Sequence, residues 1–262
     1  MRVFWVVLLA GAVLGGAVFT AVRVVDVSAA PAPATSPAAQ AAPAAPIRGL
    51  DVSNWQGNVD WTGVAAQKPA FAYIKATLGT DFRSPNFSQQ YKGATTIGLI
   101  RGAYHFGLPL RSGGARQADF FVDHGGGWSR DGRTLPGALD IEHNPYPDRA
   151  GRPEYRKNEC YGLTQTAMRG WIRAFLTRYH QRTGRHAVIY TTTSWWKACT
   201  GDDREFGATN PLWIARYKPT VGPLPAGWAK HTFWQHSSTG PFPGDSNVFN
   251  GTAAQLRQLA SG

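Results

Sequence analysis

"LPGALDIEHNPYPD", residues 135–148, begins as a buried strand and then sets two acids where a strand ends. Leu135, Ala138, Leu139 and Ile141 belong in a core, whereas Asp140 and Glu142 carry charges that burial penalises. The two acids are two residues apart, so on a strand their side chains leave the same face. At about 3.3 Å per residue their Cβ atoms lie roughly 6 to 7 Å apart. In a half-buried mouth two such carboxyls do not ionise independently, and one is pushed towards its protonated form at neutral pH. An acid beside a base or stabiliser is what cleaving a glycosidic bond requires. Alone, however, D-x-E fits a surface ion pair or a metal site equally well.

Further strands surround this one. "RGLDVS" (48–53), "FAYIKAT" (71–77), "LIRGAYHFG" (99–107), "GALDIE" (137–142), "HAVIYTT" (186–192), "PLWIARY" (211–217) and "HTFWQHS" (231–237) form a series. Between them lie periodic segments: 84–98, 113–125 and the long 164–184. The last spaces Met168, Trp171, Ile172, Phe175 and Tyr179 as a helix does and ends on Gly184, a C-cap residue. Strand and helix in alternation predict an α/β fold with a mostly parallel sheet. No GxGxxG or GxxxxGK[ST] is present, so the phosphate-cradling loops of nucleotide folds are missing. Instead, polar or aromatic residues stand near the strand C-termini: Asp51, Lys75, Tyr104 with His105, Asp140 with Glu142, Tyr190, Arg216 and Gln235. A barrel gathers such ends at one mouth, where its chemistry sits. An irregular, TIM-barrel-like (β/α) barrel in one catalytic domain is the expectation.

The chain has 262 residues. Residues 3–22 carry no charge and follow Arg2, as in a secretory leader, and Val27-Ser28-Ala29 offers a cleavage site. The apolar run is also long enough to span a bilayer, so an uncleaved N-terminal anchor stays open. We therefore assign 1–30 to a signal peptide or anchor, the Ala/Pro-rich 31–46 to a linker, and 47–262 to the catalytic domain. The domain is expected outside the membrane, secreted or extracellular. Setting aside Arg2, Arg23 and Asp26 leaves 25 basic and 15 acidic residues, a net charge of +10. The basic residues are scattered, with no helix-turn-helix or zinc knuckle, so nucleic acid is not the expected partner. An anionic cell-wall polymer suits the charge of a secreted protein better, with simple solubility as the plain alternative. The pair Cys160 and Cys199 reads as one disulfide in an oxidising compartment. His180 with His186, and His231 with His236, lack good ligand spacing, so neither a metal nor a cofactor is expected.

Ten tryptophans and 12% aromatic residues exceed the needs of one core this size. Trp55, Trp195, Trp196, Trp213 and Trp234 follow or end strands, where flat rings suit the apolar faces of sugars. Trp171, on its helix, reads as core.

"GLDVSNWQGNVDW" (49–61), "FAYIKATLGT" (71–80), "IRGAYHF" (100–106), "ALDIE" (138–142), "VIYTTTSWW" (188–196), "PLWIARY" (211–217) and "GDSNVFNG" (244–251) resemble, in order, the glycoside hydrolase family 25 lysozymes, the Chalaropsis-type muramidases. The resemblance covers about residues 48–258. It implies hydrolysis of the β-1,4 bond between N-acetylmuramic acid and N-acetylglucosamine in peptidoglycan. We expect a retaining reaction assisted by the substrate's 2-acetamido group, with direct attack by a carboxylate as the rival, since acids at this separation fall between the two spacing classes. The resemblance matches Glu142 to the proton donor, Asp140 to the acid beside it, Asp51 to a first-strand carboxylate and Asp245 to a late one. Lys75, Tyr104, Tyr190 and Gln235 fall at positions of the sugar-binding cleft, to which we add Trp213 and Arg216. Leu78 departs from the pattern, since many members carry glutamate there. The 143–159 loop looks long and suits a cleft rim; His143 and Asn144 either tune the acids or belong only to the loop. The alternatives are a non-catalytic glycan-binding barrel and a chitinase-like glycosidase. The family 18 chitinases also use D-x-E, but with upstream acids that 135–139 lacks. The expected partner is peptidoglycan, and the expected state a monomer.

Overall fold

The computed structural model describes residues 45–146 and 158–262. The expected leader or anchor, all but the last two residues of the expected linker, and the middle of the 143–159 loop lie outside the described residues. Nine strands form one sheet: β1 (Ile47–Val52), β2 (Phe71–Leu78), β3 (Phe82–Arg83), β4 (Ile100–Phe106), β5 (Ala138–Asp140), β6 (Val188–Thr191), β7 (Leu212–Ala215), β8 (Phe233–Ser237) and β9 (Asp245–Phe249). β1, β2 and β4 to β8 pair in parallel, and β9 fits between β8 and β1, antiparallel to both. The β1–β2 pairing closes the ring into an eight-stranded barrel, with β3 a short appendix to β2. The expected barrel is the observed one.

Alternation along each strand sorts the side chains. Facing inward are Phe71 and Tyr73 of β2, Val188 and Tyr190 of β6, Trp213, Phe233 and Phe249, which form one cluster. Tyr73 stacks on Trp213 with ring centres 4.8 Å apart, and Phe71 meets Phe233 at 5.0 Å. Rings this large fit only because facing positions are empty. A methyl group on Gly49 would lie 2.5 Å from the Phe71 ring, and one on Gly102 would lie 2.4 Å from the Tyr73 ring.

Outward-facing residues meet the helices. Leu50, Val52, Ala72 and Ile74 pack against α1 (Trp61–Ala66) and α2 (Phe87–Thr96). Leu139, Ile141, Ile189 and Ile214 pack against α3 (Gly114–Phe121), α4 (Gln165–Thr183) and α5 (Thr193–Thr200). α6 (Ala253–Ser261) sends Leu256 and Ala260 to the inner cluster. α4 is built as its spacing predicts: Thr164 caps it by accepting from the Ala167 N–H, and Gly184 ends it at φ 71°. Its buried stripe is Met168, Trp171, Ile172, Phe175, Leu176 and Tyr179. Each such burial stabilises the fold by roughly 1.5–3 kcal/mol. The Tyr179 hydroxyl accepts from the Gly137 N–H (2.7 Å) and donates to the Gly126 carbonyl (3.0 Å), which pins α4 to the start of β5.

The strand spacing misses β9, and Thr193–Thr200 forms helix α5 after the Thr192 N-cap. β5 is shorter than expected and stops at Asp140; Ile141 still donates to the Tyr190 carbonyl at 3.0 Å, so Glu142 leaves the sheet in register. Trp195 and Trp196 are core residues, not cleft residues, being 1% and 0% exposed. His105 also leaves the mouth. It points outward into the α3–α4 core, where Nδ1 meets the Thr77 hydroxyl at 2.8 Å and Nε2 meets Gln117 Oε1 at 3.0 Å. Burial lowers its pKa to about 4, so it stays neutral there.

Cys160 and Cys199 are joined, with Cα atoms 5.2 Å apart. The bridge fastens the returning end of the 143–159 loop to α5. The Glu159 carbonyl accepts from Trp195 Nε1 (3.0 Å) and from the Asn144 N–H (3.3 Å), so the fastening reaches the residues just after Glu142. Replacing both cysteines by serine should lower unfolding stability by about 3–4 kcal/mol in the chain-entropy model. Urea unfolding of oxidised wild type and the double variant checks this; coincident curves would show that the bridge constrains nothing.

Candidate active site

The mouth lies at the C-terminal ends of the parallel strands. Asp51 stands next to last in β1, Lys75 stands in β2, Tyr104 in β4, Asp140 ends β5, Tyr190 stands in β6 and Gln235 in β8. β9 runs the other way, so its first residue, Asp245, also reaches the mouth, cross-strand from Asp51. All seven line one cavity of about 420 Å³ together with Glu142 and Trp213. Trp213 is its floor: 2% exposed, it meets Tyr190 edge-on at 4.8 Å and donates from Nε1 to Asn247 Oδ1 (2.7 Å). Trp55, 85% exposed on the turn after β1, stands at the rim.

Arg216 is not in this cavity. It lines an adjoining chamber of about 440 Å³ with His143 and Tyr217, and this chamber shares Glu142, Tyr190 and Asp245 with the central one. On the other side a chamber of about 540 Å³ shares Trp55, Lys75 and Phe106. Leu78, the departure from the family pattern, stands in the wall of that chamber beside Phe82, away from the four acids. The three chambers make a groove with the acids at its middle. Trp234 is partly buried and donates from Nε1 to the Arg216 carbonyl at 2.9 Å, so it holds the rim from behind.

Hydrogen bonds organise the acids unequally. Asp51 Oδ2 accepts from Gln235 Nε2 (2.8 Å) and from Asn247 Nδ2 (2.7 Å). Burial, with Asp245 next, still pushes its pKa up to about 7, because the two amides offset only part of the lost hydration. Asp140 is 6% exposed, and burial followed by the nearby Glu142 raises it well above the ordinary carboxyl range. Among the described residues, Asp140 Oδ1 has no hydrogen-bond partner. Lys75 lies 5.0 Å from the centre of the Phe106 ring; burial lowers its pKa, against the pull of Asp140 and Glu142. Glu142 is more open, with 18% of its side chain exposed, and meets His143 Nδ1 at 3.1 Å. That contact raises the His143 pKa. Within the D-x-E pair the carboxyl that burial drives towards protonation is Asp140.

Sequence reasoning missed Asn247 and Tyr217. The Tyr217 hydroxyl lies 2.9 Å from Gln235 Oε1 and 3.0 Å from Asp245 Oδ2, and the Tyr190 hydroxyl also donates to Gln235 Oε1 at 2.8 Å. Strict alternation from Asp245 along "DSNVF" would have found Asn247. Tyr217 lies past the end of β7 and closes the "PLWIARY" block, which offered the signal that could have found it. Among the described residues no group of three or more His, Cys, Asp or Glu has the arrangement to hold a metal ion.

A family model described as glycosyl hydrolases family 25 matches residues 50–245. Lysozyme M1 of Streptomyces globisporus is 49% identical over 220 residues, which cover 82% of this chain and 71% of that one. The N,O-diacetylmuramidase of a Chalaropsis species is 44% identical over 220 residues, covering 82% of this chain and 100% of its own. A solved muramidase structure from Acremonium alcalophilum, 53% identical, superposes with a TM-score of 0.77 and covers 82% of this chain and 99% of that chain.

The raised Asp51 pKa has a consequence for stability. As pH rises, the unfolded chain releases this proton near the ordinary value of 3.8, but the folded protein holds it until about 7. Between these values the folded state binds more protons, so stability falls with rising pH and levels above 7. Asp51→Asn should therefore be more stable than wild type at pH 8, by up to about 4 kcal/mol, with the gain vanishing near pH 3.5. Denaturant unfolding at both pH values tests this. A variant destabilised equally at each would mean that the carboxylate is needed for its hydrogen bonds and is not a burden to the fold.

Proposed function

This chain belongs to glycosyl hydrolases family 25, and from that premise we propose how its cleft residues divide the work. The protein is a lysozyme, a glycoside hydrolase acting on peptidoglycan. We assign the cut to the β-1,4 bond between N-acetylmuramic acid and N-acetylglucosamine. Glu142, the most open member of the central acid pair, is the proton donor to the glycosidic oxygen. Asp140 accepts the N–H of the 2-acetamido group, whose carbonyl oxygen attacks the anomeric carbon as the bond to the leaving sugar breaks. Glu142, now ionised, takes a proton from the water that opens the cyclic intermediate, and the anomeric configuration is retained.

The observation that carries this reading is the buried, partnerless Oδ1 of Asp140. A carboxyl held towards its protonated form is a poor nucleophile, which weighs against direct attack by Asp140. A donor brought by the substrate lowers its pKa again, because hydrogen bonds to the charged form favour that form. Asp51 and Asp245 add negative potential that favours the oxocarbenium-like state. Lys75, Tyr104, Tyr190, Gln235 and Trp213 shape the sugar site. The groove through three chambers suits a glycan strand better than one sugar. An intact acid set in such a groove favours catalysis over a purely adhesive barrel.

We further infer a secreted, monomeric enzyme, with residues 1–30 as leader or anchor, 31–46 as linker and 47–262 as catalytic domain. Among the described residues no helix is long and apolar enough to cross a membrane. The net +10 of that domain suits docking on anionic wall polymers.

Glu142→Gln should lower wall lysis by at least roughly a hundredfold with the fold intact, the low end of what general acid catalysis supplies. A folded variant lysing at the wild-type rate would remove Glu142 from its role. Walls stripped of N-acetyl groups should be cut poorly by the wild type, and equal rates on acetylated and de-N-acetylated glycan would exclude the acetamido nucleophile. Raising salt should weaken lysis of whole walls much more than hydrolysis of a short soluble glycan, because screening acts on long-range attraction beyond about 8 Å. Parallel losses would make the positive charge a solubility trait.

A further inference from the structure

Arg216 is a cation in the wrong company. It stands in the wall of the chamber that also contains Glu142 and Asp245, yet among the described residues it makes no ion pair. Other arginines of this protein do pair: Arg173 with Glu205, Arg178 and Arg182 with Asp119, and Arg101 with Asp131. The loop after β7 holds Arg216 in place. A methyl group on Gly222 would lie 2.7 Å from the guanidinium carbon, so the guanidinium rests on the backbone at a glycine with φ +65°. His143 lines the same chamber, with its pKa raised by the Glu142 beside it.

The middle of the groove holds four acids. The chamber beside it presents the Arg216 guanidinium, which has no ion-pair partner among the described residues. A polymer of N-acetylglucosamine alone is neutral and offers this cation nothing. The muramoyl residue differs from N-acetylglucosamine by its lactyl ether, and that arm ends in a carboxyl group or continues into a peptide that bears carboxylates. We propose that the Arg216 chamber receives this carboxylate-bearing arm, and that Arg216 makes the enzyme select muramoyl glycan over neutral glycan. This rests on the muramidase reading and names the part of the substrate that the side chamber recognises. A guanidinium is suited to the task, since it meets a carboxylate through two parallel N–H donors. Because the arm lies off the reacting bond, its loss should be felt in KM more than in kcat.

The test uses three soluble glycans of equal length: peptide-free strands with free lactyl carboxyls, the same strands with those carboxyls converted to methylamides, and strands carrying intact stem peptides. Wild type should favour a carboxylate-bearing glycan over the methylamide by roughly tenfold in kcat/KM, as one exposed charge-assisted contact supplies. Arg216→Gln should bring that ratio close to one through KM, and Arg216→Lys should restore part of it. Thermal melting of both variants checks that the loop remains folded. Preference for the free acid identifies the lactyl carboxyl as the ligand; preference for the peptide-bearing strand alone identifies the peptide's. A wild-type ratio of one for both sources, or a ratio that survives Arg216→Gln, overturns the proposal. Failure of the wild type to cut any of the three would remove the muramidase reading as well, and so is distinct from cutting without Arg216-dependent preference.

Discussion

The side chain of Asp51 fastens the barrel seam. Its Oδ2 accepts from Gln235 of β8 and Asn247 of β9, so one carboxyl oxygen joins three strands where the chain reverses direction. Without the antiparallel β9, the parallel strands β1 and β8 would have no partner on one side, and the sheet would stay open. The same reversal delivers Asp245 to the mouth from the first residue of its strand. Barrel closure and assembly of the acid cluster are therefore one event, and the burden of a buried carboxyl falls on the residue that closes the barrel.

Beneath the acids lies an aromatic plug, and the two depend on each other. Phe71, Tyr73, Trp213 and Phe233 fill the barrel below the mouth, and Trp213 is both the top of that plug and the floor of the cleft. An apolar floor withholds water from Asp51 and Asp140, and burial is the leading cause of both raised pKa values. The plug gives hydrophobic stabilisation to a fold that must carry unfavourable carboxyls. It also sets the proton affinity on which their chemistry rests.

Much of this architecture is legible in the sequence, because seven strands carry alternating or continuous apolar runs and end on polar residues. β9 is not. Its inward positions are Asp245, Asn247 and Phe249, so two of three residues facing the barrel are polar, and an apolar-inside criterion reads the segment as loop. The same inversion makes it functional. His105 shows the opposite failure: adjacent to Tyr104 in sequence, it faces the other side of the sheet, as a period of two requires. Tyr217 closes the "PLWIARY" block, but its role is not legible there, since its contacts with Gln235 and Asp245 join segments 18 and 28 residues apart and leave no local pattern.

Charge is arranged here by position more than by amount. The helical shell spends acids on arginines, as where Asp119 binds both Arg178 and Arg182 and Asp123 binds Arg182. In the mouth no arginine pairs with an acid among the described residues: Glu142 meets His143, Asp51 accepts from two amides, and buried Lys75 lines the central cavity. An acid paired with arginine is held ionised and has no proton to give at neutral pH, as the lowered pKa of Asp131, pinned by Arg101 and by Arg133 and Thr134 amides, illustrates. Asp51 and Asp140, kept from such partners on an apolar floor, are instead drawn towards their protonated forms by burial. A central cavity with no arginine among its described lining residues suits acid–base chemistry, and Arg216 just beside it, with no ion pair among the described residues, is free to meet a charge that the substrate brings.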